Sequence, residues 1–501
     1  MKTCRLALAT GLLFPLAVPA TVTAHEGHGG GLTEGSRTAS TGSNKDRLWL
    51  AGDHHIHSEF SVSYEPDPNN PDGPPIPHIA QDGRYPISKN AEMARTYGLR
   101  WMVSTDHGGP NHSKINYEQA YPALLASRAA VPEVLQFYGM EFDTPAGDHS
   151  SLIIPRTPGE REQLRDIESR FSKREAWPRD PSRDTESKMI DALKYMRTQD
   201  HKPVVIANHP SRSATGLGAY GEYKPSEFRN WNDTAPDVAV GMEGAPGHQA
   251  SALNKDGSSD PEGARGGYKK SPTWGGFDQM TARLGGFWDS MLGEGRRWWV
   301  TSTSDSHSNW REGGSDFWPG EYSKTYVFAR PDQGDIMEGL RTGRVFVTTG
   351  DLISELDVTA QAVNGGKQKA KIGGTLTVAS GSDVAVTIRL RDPAPANAGG
   401  RTPDVHHVDL IVGDVTGPVA DRSTDTNPTT RVAHRFTPGE WKRNGEMLTM
   451  RFVLKNVTGP HYLRVRGTNT EQLEPDQDPR GENPWDDLWF YSNPVFIEIA
   501  R

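Results

Sequence analysis

A mainly parallel α/β domain followed by a small all-β domain is the fold the sequence predicts, and three observations predict it. From Asp46 to about Gly350, short apolar runs alternate with stretches of helical periodicity, the grammar of repeated strand–helix–strand units. After about Leu352 the runs alternate apolar and polar residues with period two, between clusters of Gly, Pro, Asn and Asp, as in an antiparallel sandwich. A chain of 501 residues also exceeds what one hydrophobic core ordinarily covers.

The chain opens on a targeting pattern. Lys2 and Arg5 precede an apolar run from Leu6 to Val18, and Val22-Thr23-Ala24 places small residues at a cleavage position. The expectation is a signal peptide over 1–24, a periplasmic or secreted product, and an unpacked Gly/Ser/His leader over 25–45. Cys4 is the single cysteine and lies inside the signal, so the exported chain would carry no disulfide.

Over 46–351, strands are expected at 48–51, 101–103, 134–140, 152–154, 204–206, 238–240 and 298–300. Ser88 reads as the N-cap of a helix through Ala91, Met93, Ala94 and Tyr97 that Gly98 ends. Residues 159–175 read as a charged, exposed helix, and Asp184 as the cap of a helix carrying Met189, Ile190, Leu193 and Met196. Residues 287–292 are helical, and runs at 326–328 and 345–347 flank a helix through Ile336 and Leu340. Two Gly/Pro/Asn/Ser-rich inserts, 211–236 and 244–276, read as surface loops near a site. Over 352–501 the period-two runs are 384–390, 408–412, 448–454, 462–466 and 495–499. His406, His407, His434 and His461 fall there and read as ordinary histidines.

The net charge is −9 at pH 7 and no basic tract is present, which argues against nucleic acid as a partner. Beyond residue 25 no apolar stretch approaches the ~20 residues that span a bilayer. Histidine is the informative residue: there are 17, and 11 fall between His54 and His307.

These histidines recur with carboxylates at strand ends. The first strand runs into Asp53-His54-His55-Ile56-His57, the second into Ser104-Thr105-Asp106-His107, and the third into Gly139-Met140-Glu141, followed by Asp148-His149. Two later strands run into Asn208-His209-Pro210 and Ser304-Asp305-Ser306-His307. Strand ends of a parallel α/β sheet gather on one face, and the alternation of side chains puts His55 and His57 together with His54 opposite. Imidazole and carboxylate donors without thiolate suit Zn, Mn or Fe. Two such ions can activate a water and clamp the oxygens of a displacement at phosphorus or carbonyl carbon. Asp53 and Asp106 could orient an imidazole or, for Asp106, bind metal, and a plain strand-end role fits Asp53 equally. Arg212 could hold an anionic group or simply lie on the surface. Glu243 and His248 are expected to line the pocket without being ligands. Trp274, Trp310 and Trp318 either wall an apolar pocket or anchor loops.

The ordered set "GDHHIHSEFS", "VSTDHGG", "GMEFDTPAGDHSSLI", "VVIANHPS" and "STSDSH" resembles the PHP (polymerase and histidinol phosphatase) superfamily of metal-dependent phosphoesterases over about residues 47–350. The resemblance implies a distorted seven-stranded, TIM-like β/α barrel with a two- or three-metal site over 46–351; the β-sandwich expected at 352–501 comes from the period-two pattern alone. It assigns His55, His57, Glu141 and Asp305 to a first metal, with Glu141 bridging. His149 and His209 go to a second metal, and His107 and His307 to a third. Glu141 and Asp305 would hold the metal-bound water. The family's further third-metal ligand, five or six residues after the second His of H-x-H, is replaced here by Val62 and Ser63. Glu59 or Glu65 could substitute; otherwise two metals are expected. The signal and "TYVFARPDQGDIMEGLRTGRVFVTTGD" are similar to the exported carbaryl-hydrolase-type branch. The implied activity is hydrolysis of a small-molecule phosphoester, with a carbamate or carboxylic ester as the alternative. A metal-containing binding protein without catalysis is the reading from another class. The sequence leaves the oligomeric state open.

Overall fold

The computed structural model describes residues 46–364 and 368–500; the expected signal peptide and leader lie outside them. Residues Asp46–Arg501 form one compact unit, a mixed α/β structure with a large mixed sheet and a separate antiparallel one.

β1 (Leu48–Asp53) leads into a short hairpin of β2 (Ser63–Glu65) and β3 (Ile76–His78), then into α1 (Ile87–Thr96) and β4 (Trp101–Ser104). β4 lies parallel to β1. α2 (His112–Ile115) and α3 (Tyr121–Ala130) precede β5 (Leu135–Asp143), parallel to β4. Only residues 144–148 separate β5 from β6 (His149–Ile154). A parallel crossover needs a dozen or more residues, so β6 returns antiparallel to β5. Its first residue, His149, therefore lies at the same sheet end as the last residues of β5. After α4 (Glu160–Phe171) and α5 (Glu186–Thr198), β7 (Val204–Ala207) is antiparallel to β6. α6 (Pro225–Thr234), β8 (Ala239–Ala245), α7 (Gln279–Ala282), α8 (Phe287–Gly293) and β9 (Trp299–Ser302) follow, with β7, β8 and β9 mutually parallel. β10 (Ser323–Ala329) covers the other edge of β1 antiparallel, and after α9 (Gln333–Arg341), β11 (Val345–Thr349) pairs antiparallel with β10. The sheet is thus parallel at β1–β4–β5 and β7–β8–β9, and antiparallel where β6 pairs with β5 and β7 and where β10 and β11 are added beyond β1. The segments after β9 and β1 meet: Ile56 and Ser306 form a parallel bridge, and His57 N–H donates to Ser306 O at 3.0 Å.

The remaining strands are β12 (Glu355–Ala362), β13 (Lys369–Lys371), β14 (Thr375–Val378), β15 (Ser382–Arg391), β16 (His407–Asp414) and β17 (Arg431–Phe436). They continue with β18 (Lys442–Asn444), β19 (Met447–Val457), β20 (His461–Thr468), β21 (Trp489–Ser492) and β22 (Val495–Ile499). β13-β12-β15-β19-β18 make the separate antiparallel sheet. The others extend the large sheet, because β21 pairs antiparallel with β11.

Several local expectations are corrected. Ser88 is inside α1, whose N-cap is Pro86. Thr185, not Asp184, caps α5 by accepting from Lys188 N–H, while Asp184 accepts from Ala146 N–H at 2.9 Å. Residues 160–171 hide one face, with Leu164, Ile167 and Glu168 fully buried. The insert 211–236 is not all loop: α6 buries Phe228 and Trp231, aromatic residues whose burial outweighs a polar composition. In the insert 244–276, Arg265 and Tyr268 are buried.

Candidate metal centre

The ends of β1, β4, β5, β7 and β9 and the start of β6 deliver one cluster of imidazoles and carboxylates. Glu141, near the end of β5, is at its centre. Its Oε1 lies 3.0 Å from His55 Nε2, 3.2 Å from His149 Nδ1 and 3.1 Å from His209 Nε2. Its Oε2 lies 2.8 Å from His107 Nδ1 and 3.6 Å from His57 Nε2. Asp305 Oδ1 faces His55 Nε2 at 3.1 Å and His57 Nε2 at 3.0 Å. His307 Nε2 is 3.2 Å from His107 Nε2. All eight residues that the resemblance assigns as ligands therefore converge.

Asp82 joins them, unanticipated by sequence. Its Oδ2 lies 3.5 Å from His107 Nε2 and 3.7 Å from His307 Nε2. It comes from the segment after β3, which is tied by its backbone: Ala80 N–H donates to Glu59 O, Gly83 N–H to Ser61 O and Arg84 N–H to His307 O. Gly83 is required there, because a Cβ would stand 2.0 Å from Ser58 O. Of the two expected substitutes, Glu65 lies on β2 beside His78, and Glu59 meets the segment after β3 through its backbone, its N–H donating to Tyr85 O at 2.8 Å.

Buried neighbours fix the ring orientations. His55 Nδ1 faces Glu243 Oε1 at 2.7 Å and His57 Nδ1 faces Ser61 Oγ at 2.7 Å. With protons on the Nδ1 atoms, both Nε2 lone pairs point at the carboxylates. Glu243 also accepts from His209 N–H at 2.5 Å and Thr303 Oγ1 at 2.7 Å. It is thus a brace behind the donors rather than a pocket wall. Asp53 does not orient a ring. It accepts from the backbone N–H groups of His55 and Ser304, at 3.0 and 3.1 Å, and so ties the ends of β1 and β9. Asp106 likewise accepts from Ser58 N–H and Ser58 Oγ. Arg212 is paired with Asp148 Oδ1 at 2.9 Å, and its side chain is 32 % exposed beside the cluster. His54 turns away, as strand alternation requires, toward Ser151 and Thr301. Trp310 donates to Glu321 and Trp318 packs on Tyr85, so both anchor their loop.

Electrostatics explain why such a cluster suits cations. Burial disfavours charge on Glu141, but His149, His107 and His55 outweigh it and hold its carboxyl well below the usual range. For Asp305, His248 and His55 likewise outweigh burial. Burial opposes the charged form of His149, yet Glu141 and Asp143 lift it to about 10. His57 goes the other way: burial, then His307 and His107, push its imidazole well down. Buried atoms meanwhile lack hydrogen-bond partners: Glu141 Oε2, Asp305 Oδ1, Asp82 Oδ2, His107 Nδ1 and His209 Nδ1. Orphaned buried polar atoms are costly, and here they face one another. Overlapping groups bring their donor atoms within 4.8 Å of one another: His55/His57/Asp305, His55/Glu141/His209, His107/Glu141/His149, His57/Asp82/His107/His307 and His248/His307/Asp316. Three site residues also adopt left-handed backbone without being glycine: His209 (φ 30), His248 (φ 58) and Asp305 (φ 47). Such strain costs about 1–3 kcal/mol per residue and gathers at functional sites.

Among the described residues no helix is long and apolar enough to cross a membrane. No protein-family model matches the chain, and no curated protein matches it.

Proposed function

We propose that the chain is a metal-dependent hydrolase of the PHP kind, exported to the periplasm or medium, acting on a small-molecule phosphoester. The observation that carries the reading is the set of buried, mutually facing donor atoms without hydrogen-bond partners around Glu141. His55, His57, Glu141, Asp305, His149 and His209 would hold two divalent ions, and Zn, Mn or Fe would suit this N/O donor set. Asp82, His107 and His307 supply donors for a third. Bound there, such ions would lower the pKa of a coordinated water and polarise the scissile ester.

The protein's own groups then have separable tasks. Glu243 and Ser61 hold the His55 and His57 rings in one tautomer. Asp53 ties the β1 and β9 ends together at the donor cluster. Arg212 offers a cation for a substrate oxyanion at the rim, which supports a phosphoester over a neutral ester; carbamate or carboxylic ester cleavage is the alternative. The seven strands β1, β4, β5, β6, β7, β8 and β9 lie in that order. The Ile56–Ser306 bridge from the last segment to the first supports reading them as a distorted β/α barrel.

The test is elemental analysis of the purified protein, then turnover of aryl phosphates, aryl esters and aryl carbamates by metal-loaded wild type and Glu141→Ala. The expected result is bound divalent metal, phosphatase turnover, and in Glu141→Ala a loss beyond the ~10–100-fold that removal of an outer partner of a metal ligand costs. Metal bound without turnover of any substrate would leave a binding protein. No bound metal and no turnover would sink the reading.

A further inference from the structure

Behind Asp305 stands a histidine that belongs to none of the donor groups above containing Glu141 or Asp305, although it lies close to His307 and Asp316. His248 lies just beyond β8, in the segment between Ala245 and Gln249. Its Nε2 is 2.7 Å from Asp305 Oδ2, and its Nδ1 is 2.5 Å from Asp316 Oδ1. The two oxygens of Asp305 thus differ. Oδ1 has no hydrogen-bond partner and faces His55 and His57, while Oδ2 is taken by His248.

Asp316 is itself fixed. It accepts from His307 N–H at 2.7 Å, Ser308 N–H at 2.9 Å and Ser315 Oγ at 2.9 Å. A continuous chain therefore runs from the 307–308 backbone through Asp316 and His248 to the outer oxygen of Asp305. The approach of the two loops is built in. A Cβ on Gly247 would stand 2.0 Å from Asp305 Cβ and 2.4 Å from Ser304 O, so only glycine lets the 245–249 turn press on the Asp305 segment. His248 N–H donates to Ser304 O at 3.3 Å, and the left-handed φ of 58° at His248 aims its ring at Asp305. The side chain is 22 % exposed, and both ring nitrogens are already engaged by carboxylates.

We propose that His248 is a positioning residue: by holding Asp305 Oδ2, it selects Oδ1 as the oxygen presented to metal and fixes the carboxylate plane. This rests on the metal-centre reading above. Outer partners of metal ligands commonly change metal affinity 10–100-fold when removed, because a carboxylate free to rotate must be ordered by the ion itself.

The test uses the full-length protein, Zn²⁺ as probe, and two variants of similar polarity. His248→Gln places an amide nitrogen where Nε2 stood and reaches Asp305. His248→Asn places one where Nδ1 stood and does not. Zn²⁺ affinity and stoichiometry are measured by competition with a chromophoric chelator, and thermal melts of the metal-free proteins check that each variant folds. The expected result is Zn²⁺ affinity reduced about 10–100-fold in His248→Asn and within a few-fold of wild type in His248→Gln. If both variants bind like wild type, His248 positions nothing. If both lose affinity equally, His248 is itself a ligand and the proposal fails. A wild type that takes up no Zn²⁺ overturns the metal-dependent reading, and this proposal with it.

Discussion

Glu141 shows how a single carboxylate can organise a site. Four imidazole nitrogens stand within 3.2 Å of its two oxygens, so its removal separates the donor groups rather than trimming one of them. A second residue-scale case lies outside the cluster. His112 is fully buried, with Nδ1 2.7 Å from Glu168 Oε1 and Nε2 2.9 Å from Phe60 O. Two acceptors demand two protons. Burial opposes the charge, but Glu168 outweighs it and the imidazole rises to about 9. A histidine whose folded pKa exceeds its unfolded value near 6.5 stabilises fully below pH 6.5 and loses that contribution as pH rises through about 9. Thermal melts should therefore fall between pH 6.5 and 9, by on the order of 3 kcal/mol. His112→Gln should flatten that slope. An equally steep slope in the variant would refute the assignment.

Elements explain why some site residues were legible in the sequence and others were not. The H-x-H after β1, the Asp-His after β4 and the Asp-x-His after β9 announce themselves, because an apolar run ends abruptly in donors. His149 was legible as a residue, but its place needed the β5–β6 hairpin, which turns a strand start toward the other strands' ends. Asp82 was hidden. It lies 25 residues beyond His57 in a Pro/Gly-rich stretch, and only the hairpin and its backbone ties bring it back. Glu243 sits inside an otherwise apolar strand, where no local pattern separates a brace from a misplaced charge. Two predictions belong at this scale. Gly83→Ala should push the 80–85 segment off Ser58, costing about 1–3 kcal/mol and one equivalent of bound metal, read by melting and elemental analysis. Trp231→Ala should cost about 3–5 kcal/mol, because α6 packs this ring on Tyr223 and Phe228; a loss below 1 kcal/mol would mean that the insert is peripheral.

At the scale of the whole molecule, the period-two strands after Leu352 are not an independent appendage. β21 continues the sheet from β11, and buried ion pairs cross between the halves. Arg464 on β20 grips Asp289 on α8 at 2.8 and 2.7 Å. Arg265 reaches Glu482 at 3.1 Å and Asp478 at 3.6 Å. Arg464→Ala strands a buried carboxylate and should cost about 3–5 kcal/mol. Unfolding should remain a single transition, because strands after Leu352 share the large sheet and buried ion pairs with the rest. Two resolved transitions would contradict that coupling.

By itself the sequence determined the mixed α/β character, the strand–donor alternation and the residue types that suit a divalent cation. Each is encoded within a few neighbouring positions, where side-chain alternation and strand length operate. The tertiary structure alone decided what depends on distant approach: Asp82 beside His107, Glu243 behind His55, His248 against Asp305, and the sheet's continuation into the last third of the chain. No local pattern specifies these contacts, because they follow from which strand ends the packed core brings to one place.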